Sequence, residues 1–214
     1  MGKSEDIMKT MNTPQLLGSF AIISAIGAGL VLTEHQGPTG MANGQDLSSY
    51  DELNYDEFSG QGNHAVIHHE GQNNNVDIYQ GGDQLTAVAY QYGDENDIQI
   101  SQGGYDNLAT IYQSGDANTA HLDQYGEENF LAVEQVGDDN YADISSHGVG
   151  NETYLAQYGV ANEAHIAQAG EFNAIDVTQD GNNNFVDIQQ GSHGNDVDFS
   201  QVGNNMTAYI TNGI

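Results

Sequence analysis

The sequence predicts an all-β chain wound as a β-solenoid, with two parallel sheets closing on one thin core, and three observations carry that prediction. The stretch GNNNFVDIQQG at 181–191 nearly repeats GQNNNVDIYQG at 71–81. The 110-residue interval between them is filled at a step of eleven. Within each step, small or branched apolar residues alternate with polar ones, as in Tyr141-Ala142-Asp143-Ile144-Ser145. Alternation of period two is a strand signal, because successive side chains point to opposite faces.

The turns come first in each unit. Gly opens the units at Gly60, Gly71, Gly82, Gly93, Gly104, Gly115, Gly126, Gly137, Gly148, Gly159, Gly170, Gly181 and Gly203, with Ser192 the one departure. Gly and its two mostly polar followers read as the turn. Asn follows three residues later at Asn63, Asn74, Asn96, Asn107, Asn118, Asn129, Asn140, Asn151, Asn162, Asn173, Asn184 and Asn195, with Leu85 and Met206 as exceptions. Gln closes the strand at Gln80, Gln91, Gln102, Gln113, Gln124, Gln135, Gln157, Gln168, Gln179, Gln190 and Gln201, broken by His69, Ser146 and Asn212. An eleven-residue period also suits a right-handed helical supercoil. A Gly and an Asn in nearly every unit, with apolar spacing of two, exclude it.

Alternate units differ. The seventh position reads Ile78, Ile100, Leu122, Ile144, Ile166, Ile188 and Ile210 in one set and Ile67, Ala89, Ile111, Val133, Leu155, Val177 and Phe199 in the other. The repeat is therefore 22 residues, two strands and two turns, and seven repeats span residues 60 to 214. None can bury its apolar face alone, so they must stack as coils. At a strand spacing of about 4.8 Å, seven coils make a rod roughly 34 Å long. The inward Asn and Gln would be costly without partners. Stacked on the same residue of the next coil, each amide can donate one way and accept the other, so these residues read as structural ladders.

The run Gln113-Ser-Gly-Asp-Ala-Asn118-Thr-Ala120, leading on to Gln124, resembles the curlin repeat, and the resemblance covers residues 60 to 214. It implies a subunit of curli, the functional amyloid fibres of bacterial biofilm matrix: a β-solenoid secreted unfolded and polymerised into a cross-β fibre outside the cell. It also implies two partners besides the chain itself, a nucleating relative and an outer-membrane secretion pore. Seven repeats, and Asn where the family often begins one strand with Ser, depart from the familiar pattern.

Ahead of the repeats, residues 1–32 carry Lys3 and Lys9 before the mostly apolar Leu16 to Leu32, the form of a secretory signal, with cleavage after Ala25 or Ala28 or retention as an anchor. Residues 33–59 lack the rhythm and read as a flexible leader. The family resemblance makes that leader an address read by the pore; composition alone makes it a linker. There is no Cys, which excludes disulfides and thiolate metal sites. At the far end, Ser192, Met206 and Asn212 spoil the last coil, yet Val197, Phe199, Ala208 and Ile210 keep it apolar inside, with no Pro or charged cap. Both ends of the rod are expected to be open to a second copy.

The chemistry on the surface is acidic. The formal charge is −29, and 23 Asp and Glu lie between Glu70 and Asp198, several in turns. Asp176 and Asp198 fall at equivalent positions of adjacent coils and should repel. Either acid, salt or divalent cations promote assembly by relieving this charge, or the charge keeps the chain soluble until export. One outward column reads Asp77, Gln99, His121, Asp143, His165, Asp187, Tyr209. His121, Asp143 and His165 are the candidate metal ligands, against plain charge compensation between strands. Outward Tyr79, Tyr90 and Tyr112, and turn-proximal Tyr92, Tyr125 and Tyr158, suit lateral adhesion. No cofactor motif, nucleophile motif or phosphate loop is found, so an enzyme is not expected. Two basic residues oppose nucleic-acid binding. Regular Thr arrays of an ice-binding solenoid and Gly-rich nonapeptides of a calcium-dependent adhesin are lacking. The structural reading leaves a major fibre subunit, a nucleator, or a discrete adhesin or metal-binding solenoid.

Overall fold

A computed structural model describes residues 35–37, 41–43 and 58–213, with side chains from residue 62 onward. The secretory reading of residues 1–32 lies outside the described residues. Two short strands, β1 (His35–Gly37) and β2 (Met41–Asn43), precede the long β3 (Phe58–Glu70). The repeats then continue as β4 (Asn75–Asp83), β5 (Thr86–Tyr92), β6 (Asp97–Tyr105), β7 (Leu108–Ser114), β8 (Thr119–Glu127), β9 (Phe130–Asp138) and β10 (Tyr141–Val149). The last six are β11 (Glu152–Val160), β12 (Glu163–Glu171), β13 (Ala174–Asn182), β14 (Phe185–Gln190), β15 (Asp196–Val202) and β16 (Thr207–Asn212).

Odd strands β3 to β15 form one parallel sheet and even strands β4 to β16 the other, each residue level with the one 22 positions on, as Ile144 with Ile166 and Leu155 with Val177. The expected seven-coil, two-sheet solenoid is therefore the fold. The burial pattern alternates strictly through the middle coils, as in β7 and β9. Inward residues complement one another in size: Val76 and Ile78 share a coil with Ala87 and Ala89, whereas Ala120 and Leu122 share one with Leu131 and Val133. A core two side chains thick can be filled only by such trade-offs between facing strands.

The turns are tighter than the reading of Gly plus two residues. In most units Gly and the residue after it still pair in the ladder, as Gly148 and Val149 with Gly170 and Glu171. The residue just before each Asn or its replacement makes the corner. All fourteen, from Gly62 to Asn205, take φ between 53 and 77°, eleven of them without being Gly. Each non-Gly corner costs about 1 kcal/mol. The return is that peptide groups align with the rod: Glu95 N–H donates to Gln72 O at 2.8 Å and Ala117 N–H to Asp94 O at 2.9 Å. Gly is required for space as well as dihedral. A Cβ on Gly126, at φ 123°, would overlap the carbonyl of Gly148 in the next coil.

The two ends differ, which corrects the expectation that both are open. β2 lies antiparallel on the free edge of β4, with Ala42 opposite Ile78. β1 lies antiparallel on β3, with His35 opposite Asn63. Parts of the stretch expected to be a flexible leader are thus strands on the N-terminal edge. At the C-terminal end, β15 and β16 pair on one side only among the described residues.

Candidate functional site

The repeated chemistry is the amide ladder. Along the odd sheet, Gln91 Nε2 donates to Gln113 Oε1 at 3.0 Å, and the chain of donations continues through Gln135, Gln157 and Gln179 to Gln201 at 2.8–2.9 Å. The even sheet runs Gln80 to Gln102 to Gln124, and Gln168 to Gln190. The second N–H of each Gln crosses the coil to the carbonyl opening the preceding strand, as Gln135 to Thr119 O at 2.9 Å. The cross-coil clamp made by every ladder Gln, with the ladder bond beside it in most, explains why Gln recurs: an apolar residue would free the carbonyl it clamps.

Asn ladders run the other way. Asn140 Nδ2 donates back to Asn118 Oδ1 at 3.0 Å and forward to Gly159 O at 2.9 Å, while Asn140 N–H also reaches Asn118 Oδ1. Each Asn therefore holds a turn to the coils on both sides. Surface carboxylates extend the scheme. Asp94, Asp116 and Asp138 stack in one turn column, their Oδ1 atoms accepting the N–H groups of Gln72, Asp94 and Asp116 at 2.8–3.0 Å. Part of the acidity is thus bound into the turns.

One interior break is repaired. At Ser146 the even ladder loses its Gln, and the short hydroxyl reaches Gln168 Oε1 only at 3.4 Å. Thr153 Oγ donates to the same oxygen at 2.9 Å. Thr153 is fully buried in a column that is otherwise Ala, Leu, Ile or Val. Sequence reading did not single out Thr153; a hydroxyl seven residues beyond the missing Gln was the available signal.

The His column does not assemble. His121, Asp143 and His165 are level across β8, β10 and β12, as expected. They do not converge: His121 Nε2 lies 3.6 Å from Asp97 Oδ2, and His165 places Nε2 2.7 Å from Glu163 Oε1 and Nδ1 3.9 Å from Asp143 Oδ2. The ring of Tyr141 sits between the imidazoles, 5.8 Å from one and 5.6 Å from the other. Among the described residues no three His, Asp or Glu groups converge on a metal position. The contacts are pairwise ones between a His and a carboxylate, and the three groups do not meet at one point.

Tyrosines divide between faces. Tyr90 and Tyr112 are level on the odd sheet, where Tyr92 packs on Tyr112 at 5.7 Å and Phe130 on Tyr154 at 5.1 Å. Tyr79 lies on the even sheet, and Tyr125 there covers Gly103 and meets Ser101 Oγ at 2.7 Å. Tyr158 donates to Glu134 Oε2 at 3.1 Å. Burial, then the Glu134 charge, pushes its phenol up to about 12. On the same sheet Asp176 is raised above the ordinary carboxylate value, first by partial burial and then by Asp198 and Asp196. The expected repulsion of Asp176 and Asp198 is present.

The ladders end differently at the two edges. Among the described residues, Gln80 Oε1 and Gln91 Oε1, both fully buried, have no hydrogen-bond partner, nor has His69 Nε2. Phe58 is level with Gln80 and His69 with Gln91, so no Gln precedes either. At the opposite edge Gln201 gives one N–H to Phe185 O, with no further coil among the described residues to take the other.

No curated protein and no solved structure matches the chain. The family profile of the Curlin associated repeat matches residues 71–104, 104–137, 137–170 and 148–181. With that repeat running over half the sequence, on a solenoid whose coils keep its register, the chain belongs to the curlin family.

Proposed function

We propose that this curlin-repeat protein is a structural subunit of an extracellular curli-type amyloid fibre of the biofilm matrix, polymerising end to end so that the coils of one copy continue into those of the next. The observation that carries the reading is the C-terminal edge. Here β15 and β16 present unpaired edges among the described residues, Phe199, Ala208 and Ile210 are partly uncovered, and the Gln ladder ends on a buried amide. An unpaired strand edge is a template for pairing with another chain. Parallel, in-register strands with amide ladders are also the arrangement that propagates in cross-β fibres.

Membership of the family supports secretion, with residues 1–32 as the signal and 33–59 as the leader read by the outer-membrane pore. It also supports a nucleating relative as partner. The role of major subunit is favoured over that of nucleator, because the Asn and Gln ladders run regularly from coil to coil, as from Gln91 through to Gln201. A structural role agrees with outer faces that offer a shallow depression beside Tyr79, Ser101 and His121 and no enclosed cleft there. The acidic surface, −29 overall, opposes nucleic acid as a partner.

The test is to dilute the chain lacking residues 1–32 from denaturant and follow thioflavin fluorescence with and without preformed seeds. Self-seeded growth with reflections near 4.7 and about 10 Å is the expected result. A monomer that folds cooperatively and never seeds would overturn it in favour of a discrete solenoid binding module.

A further inference from the structure

The N-terminal edge is occupied by the chain itself, and occupied imperfectly. β2 covers β4 from Tyr79 to Asp77, and β1 meets β3 between Gly60 and Asn63. Antiparallel strands supply main-chain partners but cannot continue a parallel side-chain ladder. At this edge the buried Gln80 Oε1 and His69 Nε2 stay unpaired among the described residues, whereas the interior Gln residues of the odd ladder accept from the coil before.

A second copy would fit the same edge differently. Residues 61 to 214 make seven complete periods of 22, so stacking a copy beneath this one puts its Gln201 one coil below His69 and its Asn195 one coil below Asn63. Its Asn212 comes one coil below Gln80, at the level now held by Phe58. The incoming edge brings amide donors to the levels where acceptors are unpaired, and apolar Val197 and Ile210 to the levels of Ala65 and Ile78.

We propose that β1 and β2 form a self-cap that holds the N-terminal edge against a second copy of this chain, and that the C-terminal coil of that copy displaces them, together with Phe58–Gly60, when a junction forms. The proposal rests on the end-to-end reading above. The cap protects the edge while the chain is alone. Its mismatch with the ladders makes it exchangeable, because the displacing coil pairs groups that the cap leaves unpaired. Each fibre junction then requires one uncapping event, at the N-terminal edge alone.

The full chain tests this directly, since it contains no Cys. Asn43 lies opposite Asp77, and directly opposed strand residues stand close enough for a disulfide. The double substitution Asn43→Cys with Asp77→Cys should cross-link on mild oxidation and lock the cap. Seed elongation by the oxidised protein is expected to fall about tenfold or more below that of its reduced form, because the competent fraction of edges is removed. Ala42→Pro, which loosens β2 without a lock, should speed elongation several-fold over the unaltered chain. Equal elongation by oxidised and reduced forms, while the unaltered chain polymerises, would overturn the cap and leave the fibre reading standing. So would failure of the Cys pair to cross-link. An unaltered chain that never elongates seeds would overturn the fibre reading and the cap with it.

Discussion

Replacing Thr153 by Val isolates the repair of the even ladder. The change keeps shape and removes one hydroxyl, leaving Gln168 Oε1 with the 3.4 Å approach of Ser146 in place of the 2.9 Å bond from Thr153. Gln168 is 2% exposed and Thr153 is fully buried, so water cannot substitute from bulk. An acceptor left unsatisfied in such a place costs about 1–3 kcal/mol. Ser146→Gln alone should stabilise by about 1 kcal/mol, since the longer amide reaches Gln168 and offers its oxygen to Gln124. In that background the Thr153 hydroxyl is redundant and its loss should cost less than about 0.5 kcal/mol, a coupling of roughly 1–2 kcal/mol. Guanidinium unfolding followed by circular dichroism reads this directly. With a slope of about 4 kcal/mol per M, a 1.5 kcal/mol loss shifts the midpoint by roughly 0.4 M. Equal cost of Thr153→Val in both backgrounds would refute the repair.

Gly126→Ala should prevent a regular stack, since the new methyl meets the Gly148 carbonyl as well as an unfavourable φ; Gly194→Ala, with nothing within 4 Å of its added atom, should cost about 1 kcal/mol. Thermal melts of the two variants make the comparison. Asp176 is raised in the folded state, so folded protein binds the proton more readily than unfolded: stability should rise as pH falls from neutral through the folded value, and stop rising below the ordinary carboxylate value. Asp176→Asn should stabilise the chain at neutral pH and flatten that part of the profile, measured by denaturant midpoints across pH. Tyr158, held up to about 12, should ionise late in an ultraviolet titration, and Glu134→Gln should lower its value only part of the way, because burial is the larger cause. Stability carried by Tyr158 is lost as pH rises past the ordinary phenol value, where unfolded chains ionise first.

The coil count, the two sheets and the inward columns were legible because each follows from a period: eleven for the unit, 22 for the coil, two for the strand. The ladder residues were legible for the same reason, since a buried Asn118 or Gln135 at a fixed level has only its own kind above and below. What repetition does not encode was missed. The clamp from Gln135 to Thr119 O crosses between sheets and depends on how the coil closes. The corner at Ala117 or Phe172 falls on residues with no left-handed preference, because stacking bonds override the local cost. The His column matched in level but not in direction: His165 lies closer to Glu163 on its own strand than to Asp143, and His121 turns to Asp97 on the strand before it. β1 and β2 carry no repeat at all, and an antiparallel edge pairing leaves little trace in a stretch of Gly, Ser and acidic residues.

The opposed directions of the ladders have an electrostatic consequence. Gln-to-Gln donations run from the first coil toward the last, and Asn-to-Asn donations run from the last toward the first. Were every amide aligned, each added coil would lengthen a single dipole, as successive peptides do along a helix. A long rod would then present increasingly charged tips, attracting or repelling new material according to its length. With the columns opposed, the side-chain contributions work against one another coil by coil. The ladder field at the tip of a long rod therefore grows less than it would with aligned amides, and each addition meets an edge more like the one before.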